Sequence, residues 1–187
     1  MRLTVCVVVL LAAAAACRRA PEQGRAVAAS APASSRHAAD GAACAPNAKP
    51  ANLDFTLEDM HGRKTSLTAY KGKVVLVDFW ATWCGPCRME IPGFVALYDK
   101  YKSQGFEILG LLTLDRVTNV PAFAREFRMN YPILDANDRQ DVQDAFGPMF
   151  GLPTSFLISR DGRICRTHVG YSPKEQFDRE IRALLAF

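Results

Sequence analysis

The stretch at 73–81, KVVLVDFWA, is a near-continuous apolar run. Such a run suits a strand buried on both faces, which only the interior of a sheet provides. It leads without a spacer into TWCGPCR, so two cysteines three positions apart sit where that strand ends. The next segment, 87–105, has apolar residues at helical spacing and closes on glycine. The cysteine pair therefore falls in a strand-to-helix turn, and the remaining chain has to be arranged around that junction.

Upstream, LDFTLEDMHGRKTSLTAY (53–70) alternates apolar and polar residues around His61-Gly62 and predicts a short hairpin. Downstream come a strand at 106–114, a helical stretch around 121–129, YPILD (131–135), and a second helical stretch at 138–146. TSFLISRDGRICRTHV (154–169) reads as a hairpin turning at Asp161-Gly162. A last helix opens with SPKE, with Ser172 as its cap, Pro173 in the first position and Glu175 reaching back. Phe177, Ile181, Leu184 and Leu185 form its inner stripe. Strands alternating with helices, with a terminal hairpin, indicate an α/β sandwich over 51–187.

The head of the chain is of another kind. Of the 23 basic and 19 acidic residues, six and two lie in residues 1–50, which leaves the domain 17 of each. The whole +4 excess belongs to the head, so the basic balance gives no reason to expect nucleic acid as a partner. After Arg2, the apolar run Leu3–Ala16 is 14 residues long, short for a membrane span and suited to an export signal. It ends in AAAC (14–17), which resembles the lipobox of bacterial lipoproteins, with Ala14 where that motif usually has leucine. Lipidation at Cys17, ordinary cleavage after Ala16 and retention as an anchor all stay open. Residues 18–50 hold 12 alanines and four prolines, with Val27 as the one large aliphatic. Such a composition buries too little apolar surface to offset the entropy of ordering it and reads as a disordered tether.

At the start of a helix, unpaired amides and the helix dipole favour an anion, so the Cys84 thiol is expected to ionise readily and to stand exposed. Cys87, one turn on, lies on the same face and within disulfide range. That arrangement supports thiol–disulfide exchange, in which Cys84 attacks a client disulfide and Cys87 resolves the mixed disulfide. Other readings of the pair fare worse. A zinc site needs a second pair, c-type haem attachment needs histidine where Arg88 stands, and a structural bridge over so small a loop constrains the unfolded chain little. Neither a metal nor a cofactor is expected.

VDFWATWCGPCR resembles the active-site stretch of thioredoxins, and 51–187 as a whole resembles the TlpA/ResA-type exported thioredoxin-like reductases, which include the cytochrome c maturation thioredoxins. Trp83 before the first cysteine, Pro92 five residues after the second, the segment GLPTSFLI (151–158), the early hairpin and an extra segment at about 116–135 carry the likeness. The resemblance implies a thioredoxin-like fold and thiol–disulfide reductase activity. It implies a cis bond at Pro153 beside the dithiol, and a client surface of Trp83, Gly85, Pro86, Leu152 and Pro153. Asp78, an acid inside a buried strand, matches the aspartate that accepts the proton of the resolving cysteine, and burial is expected to raise its pKa. Glu90 matches a glutamate that tunes the same transfer; a solvated first-turn acid is the plainer reading. Trp80 is assigned to packing, and the three histidines are assigned nothing. Cys44 and Cys165, the leftover thiols of the mature chain, are candidates for a structural disulfide.

Thioredoxin and the oxidant DsbA differ by about 150 mV, roughly 7 kcal/mol, and the Gly85-Pro86 pair with Asp78 favours the reducing end. The resemblance implies a membrane electron donor of the DsbD/CcdA type, and clients such as apocytochrome c or the copper-site cysteines of an oxidase subunit. The chain is expected to be exported, membrane-tethered and monomeric. Two other classes compete. A Sco-type copper module uses C-x-x-x-C with a distant histidine, one residue longer than the spacing here. A peroxiredoxin-like peroxidase needs P-x-x-x-T-x-x-C, where this chain has Val77 and Ala81 before Cys84.

Overall fold

The computed structural model describes residues 44–187. The expected signal segment 1–17, with Cys17, and residues 18–43 of the expected tether lie outside the described residues. The main elements, in chain order, are β1 (Thr56–Asp59), β2 (Lys64–Ser66), β3 (Val74–Trp80), α1 (Gly85–Tyr101), β4 (Phe106–Leu112), α2 (Val120–Glu126), β5 (Ile133–Asp135), α3 (Gln140–Phe146), β6 (Thr154–Ile158), β7 (Ile164–Val169) and α4 (Lys174–Leu185). The strands form one mixed sheet in the order β2-β1-β5-β4-β3-β6-β7.

All seven residues of β3 are buried, as the apolar run predicts, because β4 flanks it in parallel and β6 antiparallel while helices cover both faces. Alternation along β3 sorts its side chains. Val74 and Leu76 pack with Phe94 and Leu97 of α1 and with Phe177 and Ile181 of α4. Val75, Val77 and Phe79 pack on the opposite face with Phe146 and Phe156. Asp78 has the parity of Val74 and Leu76, so it lies under α1 and α4. Helix α1 buries Cys87, Glu90, Ile91, Phe94, Leu97 and Tyr101, a stripe at three- and four-residue spacing. Glu90 thus belongs to the inward stripe and not to a solvated first turn.

The early hairpin forms as expected, with Asp59 accepting the amide N–H groups of His61 and Arg63 across its turn. The extra segment carries α2, which is held to the first turn of α1 by Arg88. Its guanidinium lies over Phe123 and Phe127 at 5.1 and 4.7 Å and pairs with Glu126 at 3.2 Å.

Two expectations are corrected. The SPKE capping box does not form: α4 starts at Lys174 with Pro173 as its N-cap residue and no side-chain cap bond. Ser172 is drawn away because its amide N–H donates to Glu90 Oε1 at 2.6 Å. The tether boundary at residue 50 also lies too far along the chain. Lys49 accepts from the Ile164 amide at 2.8 Å, Ala51 donates to Gly162 at 2.8 Å, and Pro50 bridges to Arg163, so this arm runs beside the β6–β7 hairpin. Cys44 is joined to Cys165 of β7, with Cα atoms 4.4 Å apart and a sequence separation of 121. Cross-linking so long a loop restricts the unfolded chain strongly. Replacing both Cys44 and Cys165 with serine is expected to lower the unfolding free energy by about 2–4 kcal/mol, read from the urea midpoint. An unchanged midpoint would mean that the link contributes nothing.

Candidate active site

Strand β3 ends at Trp80, and four residues later Cys84 occupies the N-cap of α1. Its sulfur accepts the Cys87 amide N–H at 3.2 Å, and Pro86 in the first turn needs no amide partner. Cys84 and Cys87 form a disulfide with Cα atoms 5.3 Å apart. In this oxidised state Cys84 is not exposed as expected: it is 3% accessible and Cys87 1%. Both cysteines pack in a cluster with Trp80, Ile91 and Leu152, while Trp83, Gly85 and Pro86 form the open surface. The Leu152–Pro153 bond is cis, and Pro153 is buried. Its carbonyl accepts the Gly170 amide N–H at 2.8 Å. The fold thus brings Leu152 against the packing around the cysteines, and Cys44–Cys165 lies apart, on β7.

The segment before Cys84 is fixed by Asp115. Its Oδ2 accepts both the amide and the hydroxyl of Thr82, at 2.7 and 2.5 Å, while Oδ1 accepts from the Arg116 amide and Asn119. Burial pushes the Asp115 carboxyl up, but these donors outweigh it and hold the group below the usual carboxylate range. Beside it, the Trp83 indole N–H donates to the Leu114 carbonyl at 2.9 Å, which fixes an otherwise exposed ring.

Two acids are buried under α1, Asp78 on β3 and Glu90 one turn after Cys87. Asp78 is 2% accessible and accepts the Ser155 hydroxyl at 2.8 Å. Burial pushes its pKa up to about 7, with Ser155 pulling the other way. Glu90 is 4% accessible, and burial raises it to about 8. The Ser172 amide offsets part of that rise and the nearby Asp78 charge adds to it. Tyr131 is buried in the same field, and its hydroxyl is pushed far up by burial and then by the charges of Asp78 and Glu90. Gly110 lies across from Asp78 in the β3–β4 register, where a Cβ would come within 3.0 Å of Trp80 Nε1 and 3.3 Å of the Tyr131 ring. Only glycine leaves both rings where they are. Sequence reasoning missed Ser155, Tyr131, Gly110 and Ser172. A serine inside the TSFLI strand is the one signal that could have pointed to a partner for a buried acid.

The AhpC/TSA family model matches residues 47–167. A thiol-disulfide oxidoreductase ResA of Geobacillus thermodenitrificans is 40% identical over 132 residues, 70% of this chain and 74% of that protein. The chain belongs to this family of thiol-disulfide oxidoreductases. The ResA of Bacillus subtilis is 38% identical over 117 residues, 63% of this chain and 64% of that protein. Among solved structures, a thiol:disulfide interchange protein of the thioredoxin family from Chlorobium tepidum superposes with a TM-score of 0.67 at 32% identity, covering 77% of this chain and 99% of that one. The fold is therefore thioredoxin-like. Val77 and Ala81, both fully buried, stand where a peroxidase of the same family would need proline and threonine, and neither supplies a hydroxyl near Cys84.

The two acids generate a prediction. Each binds its proton more tightly in the folded chain than in the unfolded one, where their values are 3.8 and 4.5. Their stabilising contribution is complete below those values and is lost as pH rises through about 7 and about 8. Carboxyls held low, such as Asp161 by Ser159 and Arg163, act in the opposite sense at more acid pH. Urea unfolding of the oxidised protein between about pH 5 and 9 is expected to show stability declining with pH, and Asp78→Asn is expected to flatten that decline. Parallel slopes for the two proteins would contradict this account.

Proposed function

We propose that the protein is an exported reductase, held at the extracytoplasmic face of the membrane, that delivers electrons from its Cys84–Cys87 dithiol to disulfides of client proteins. The observation that carries this reading is a Cys84–Cys87 disulfide at the N-terminus of a helix that also buries Glu90, whose carboxyl shares the field of the buried Asp78. The expected clients are oxidised cysteines awaiting haem in apocytochrome c or copper in an oxidase subunit. The expected source of electrons is a membrane thiol carrier of the DsbD/CcdA type. Export, the anchor and these partners rest on the head of the sequence and on the family resemblance.

In the reduced protein the Cys84 thiolate attacks one client sulfur, a Cys84–client disulfide forms, and the other client sulfur leaves as a thiolate and takes a proton. Cys87 then gives its proton to the buried acids and attacks Cys84 Sγ, releasing the second client thiolate and restoring the disulfide. Two electrons pass to the client in all; the Cys87 proton stays with the acids, and both client thiolates take their protons from water. The raised acid pKa values matter for the middle step. Moving a proton from an ordinary thiol, near 8.5, to an ordinary carboxyl is uphill by about 6 kcal/mol. Raising the acids to about 7 and about 8 narrows that gap by up to about 4–5 kcal/mol. Burial thus converts two carboxyls into competent bases for a thiol.

Removing the resolving sulfur by Cys87→Ser is expected to strand clients on Cys84 as mixed disulfides that dithiothreitol releases, with no adduct in the Cys84→Ser, Cys87→Ser protein. The purified domain is expected to equilibrate with glutathione or thioredoxin at a potential below about −200 mV. A potential near DsbA's, about −120 mV, would reverse the direction of the proposed reaction.

A further inference from the structure

The sheet register sets a polar row under α1 and α4. Gly110 of β4, Asp78 of β3, Ser155 of β6 and His168 of β7 stand side by side across four strands. Asp78, Ser155 and His168 are all buried. His168, the outermost, is held on both ring nitrogens. Nε2 lies 2.8 Å from Glu180 Oε2 of α4, and Nδ1 faces the Ser172 hydroxyl at 3.4 Å and the Gln176 amide nitrogen at 3.5 Å. Glu180 is an acceptor, so the ring donates to it from Nε2. The ring also packs on Phe177 at 4.6 Å, and Phe177 packs edge-on against Phe94 of α1 at 5.0 Å.

The loop that His168 anchors holds two parts of the active site at once. Gly170 donates its amide N–H to the Pro153 carbonyl, and Ser172 donates its amide N–H to Glu90. Gly170 has φ 78°, a left-handed conformation that lets the chain reach Pro153 and then turn back towards α1 within two residues. We propose that His168, braced by Glu180, is a positioning residue of the redox reaction: it fixes the 170–172 loop so that one amide holds the Pro153 segment and the other keeps the Glu90 carboxyl next to Asp78. The inference rests on the roles given above to Cys87 and Glu90.

The groups facing Glu90 are Asp78 from β3, Tyr131 from the segment before β5, and the Ser172 amide; Glu180 faces His168 from α4, and Arg166 of β7 acts on Glu180. None of them offers Glu90 a second charged donor. If the Ser172 amide moves away, Glu90 loses the one hydrogen bond that favours its ionised form, and the carboxyl becomes harder to ionise. The resolving step then shifts to higher pH.

The test follows resolution in single turnover: a disulfide-linked peptide loaded on Cys84, and its release by Cys87 measured across pH. His168→Phe keeps the ring contact with Phe177 and removes the hydrogen bonds at both ring nitrogens. It is expected to slow release about tenfold at neutral pH and to move the midpoint of the pH profile upward. In a Glu90→Gln background the same change is expected to have little further effect, because the position it guards no longer titrates. Ser172→Ala, which cuts the side-chain link to His168 and leaves the amide, is expected to move the midpoint in the same direction by a smaller amount; it serves if His168→Phe does not fold. An unmoved midpoint, or an equal slowing with and without Glu90, would reduce His168 to a packing residue. Failure of the wild-type protein to release the peptide through Cys87 at any pH would instead overturn the reductase mechanism itself.

Discussion

The structure depends on a carboxyl placed in the middle of a strand that has no access to water. Burying an acid such as Asp78 carries a cost of several kcal/mol if it ionises without partners, so the protein meets that cost largely by keeping a proton on it. The surroundings are built to match. Ser155 supplies one donor from the neighbouring strand and Gly110 clears room on the other side; among the described residues, no cation is brought in to stabilise the ionised form. An arginine at this depth would have made Asp78 a permanent anion and a useless base. With no counter-charge beside it, burial sets the proton affinity.

The remaining construction keeps the chemistry at one end of the sheet. The carboxyl ends of β3 and β4 carry the Cys84 turn and the Asp115 cluster that grips Thr82, with Trp83 pinned to Leu114. At the other end of the β6–β7 hairpin the arm and the Cys44–Cys165 link hold the chain's first described residues to β7. Helix α1 spans the gap between them. It is fastened through Arg88 to α2 at its start and through Tyr101 and Lys100 to Asp178 of α4 near its end. Helix α1 carries both Cys87 and Glu90, so fixing it at both ends fixes how the thiol and the carboxyl are held.

The strands and the cysteine pair were legible because their signals are local. KVVLVDFWA has one sensible location in an α/β sheet, and CGPC at its end names its chemistry. Glu90 was half legible: the stripe Cys87, Glu90, Ile91, Phe94 puts it inward, yet charge alone suggested solvent. Ser172 shows how a correct local rule loses to a tertiary bond, since SPKE is a sound capping box until Glu90 takes the serine amide. Ser155, His168 and Tyr131 had no local signal, because their meaning arises from strand register and from packing across the sheet. The arm at 44–50 was misread for a related reason. Alanine and proline carry no burial signal, and it is backbone pairing with the hairpin that orders it.

Two acids in one field behave as a pair and not as two independent groups. Burial holds both above the usual carboxylate range and the Asp78 charge raises Glu90 further, so the pair loses its two protons in separate steps. Under the proposed reaction, a pair holding a single proton takes one from Cys87 when a client is reduced and returns one when the disulfide is re-reduced. The same geometry therefore serves both half-reactions with little bias. The direction of electron flow is then left to the stability of the Cys84 thiolate and to whatever keeps the dithiol supplied. A single buried acid shifted as far would serve one direction near its own pKa. The second acid, held by the Ser172 amide and pushed up by the first, widens the pH range over which a proton can move either way.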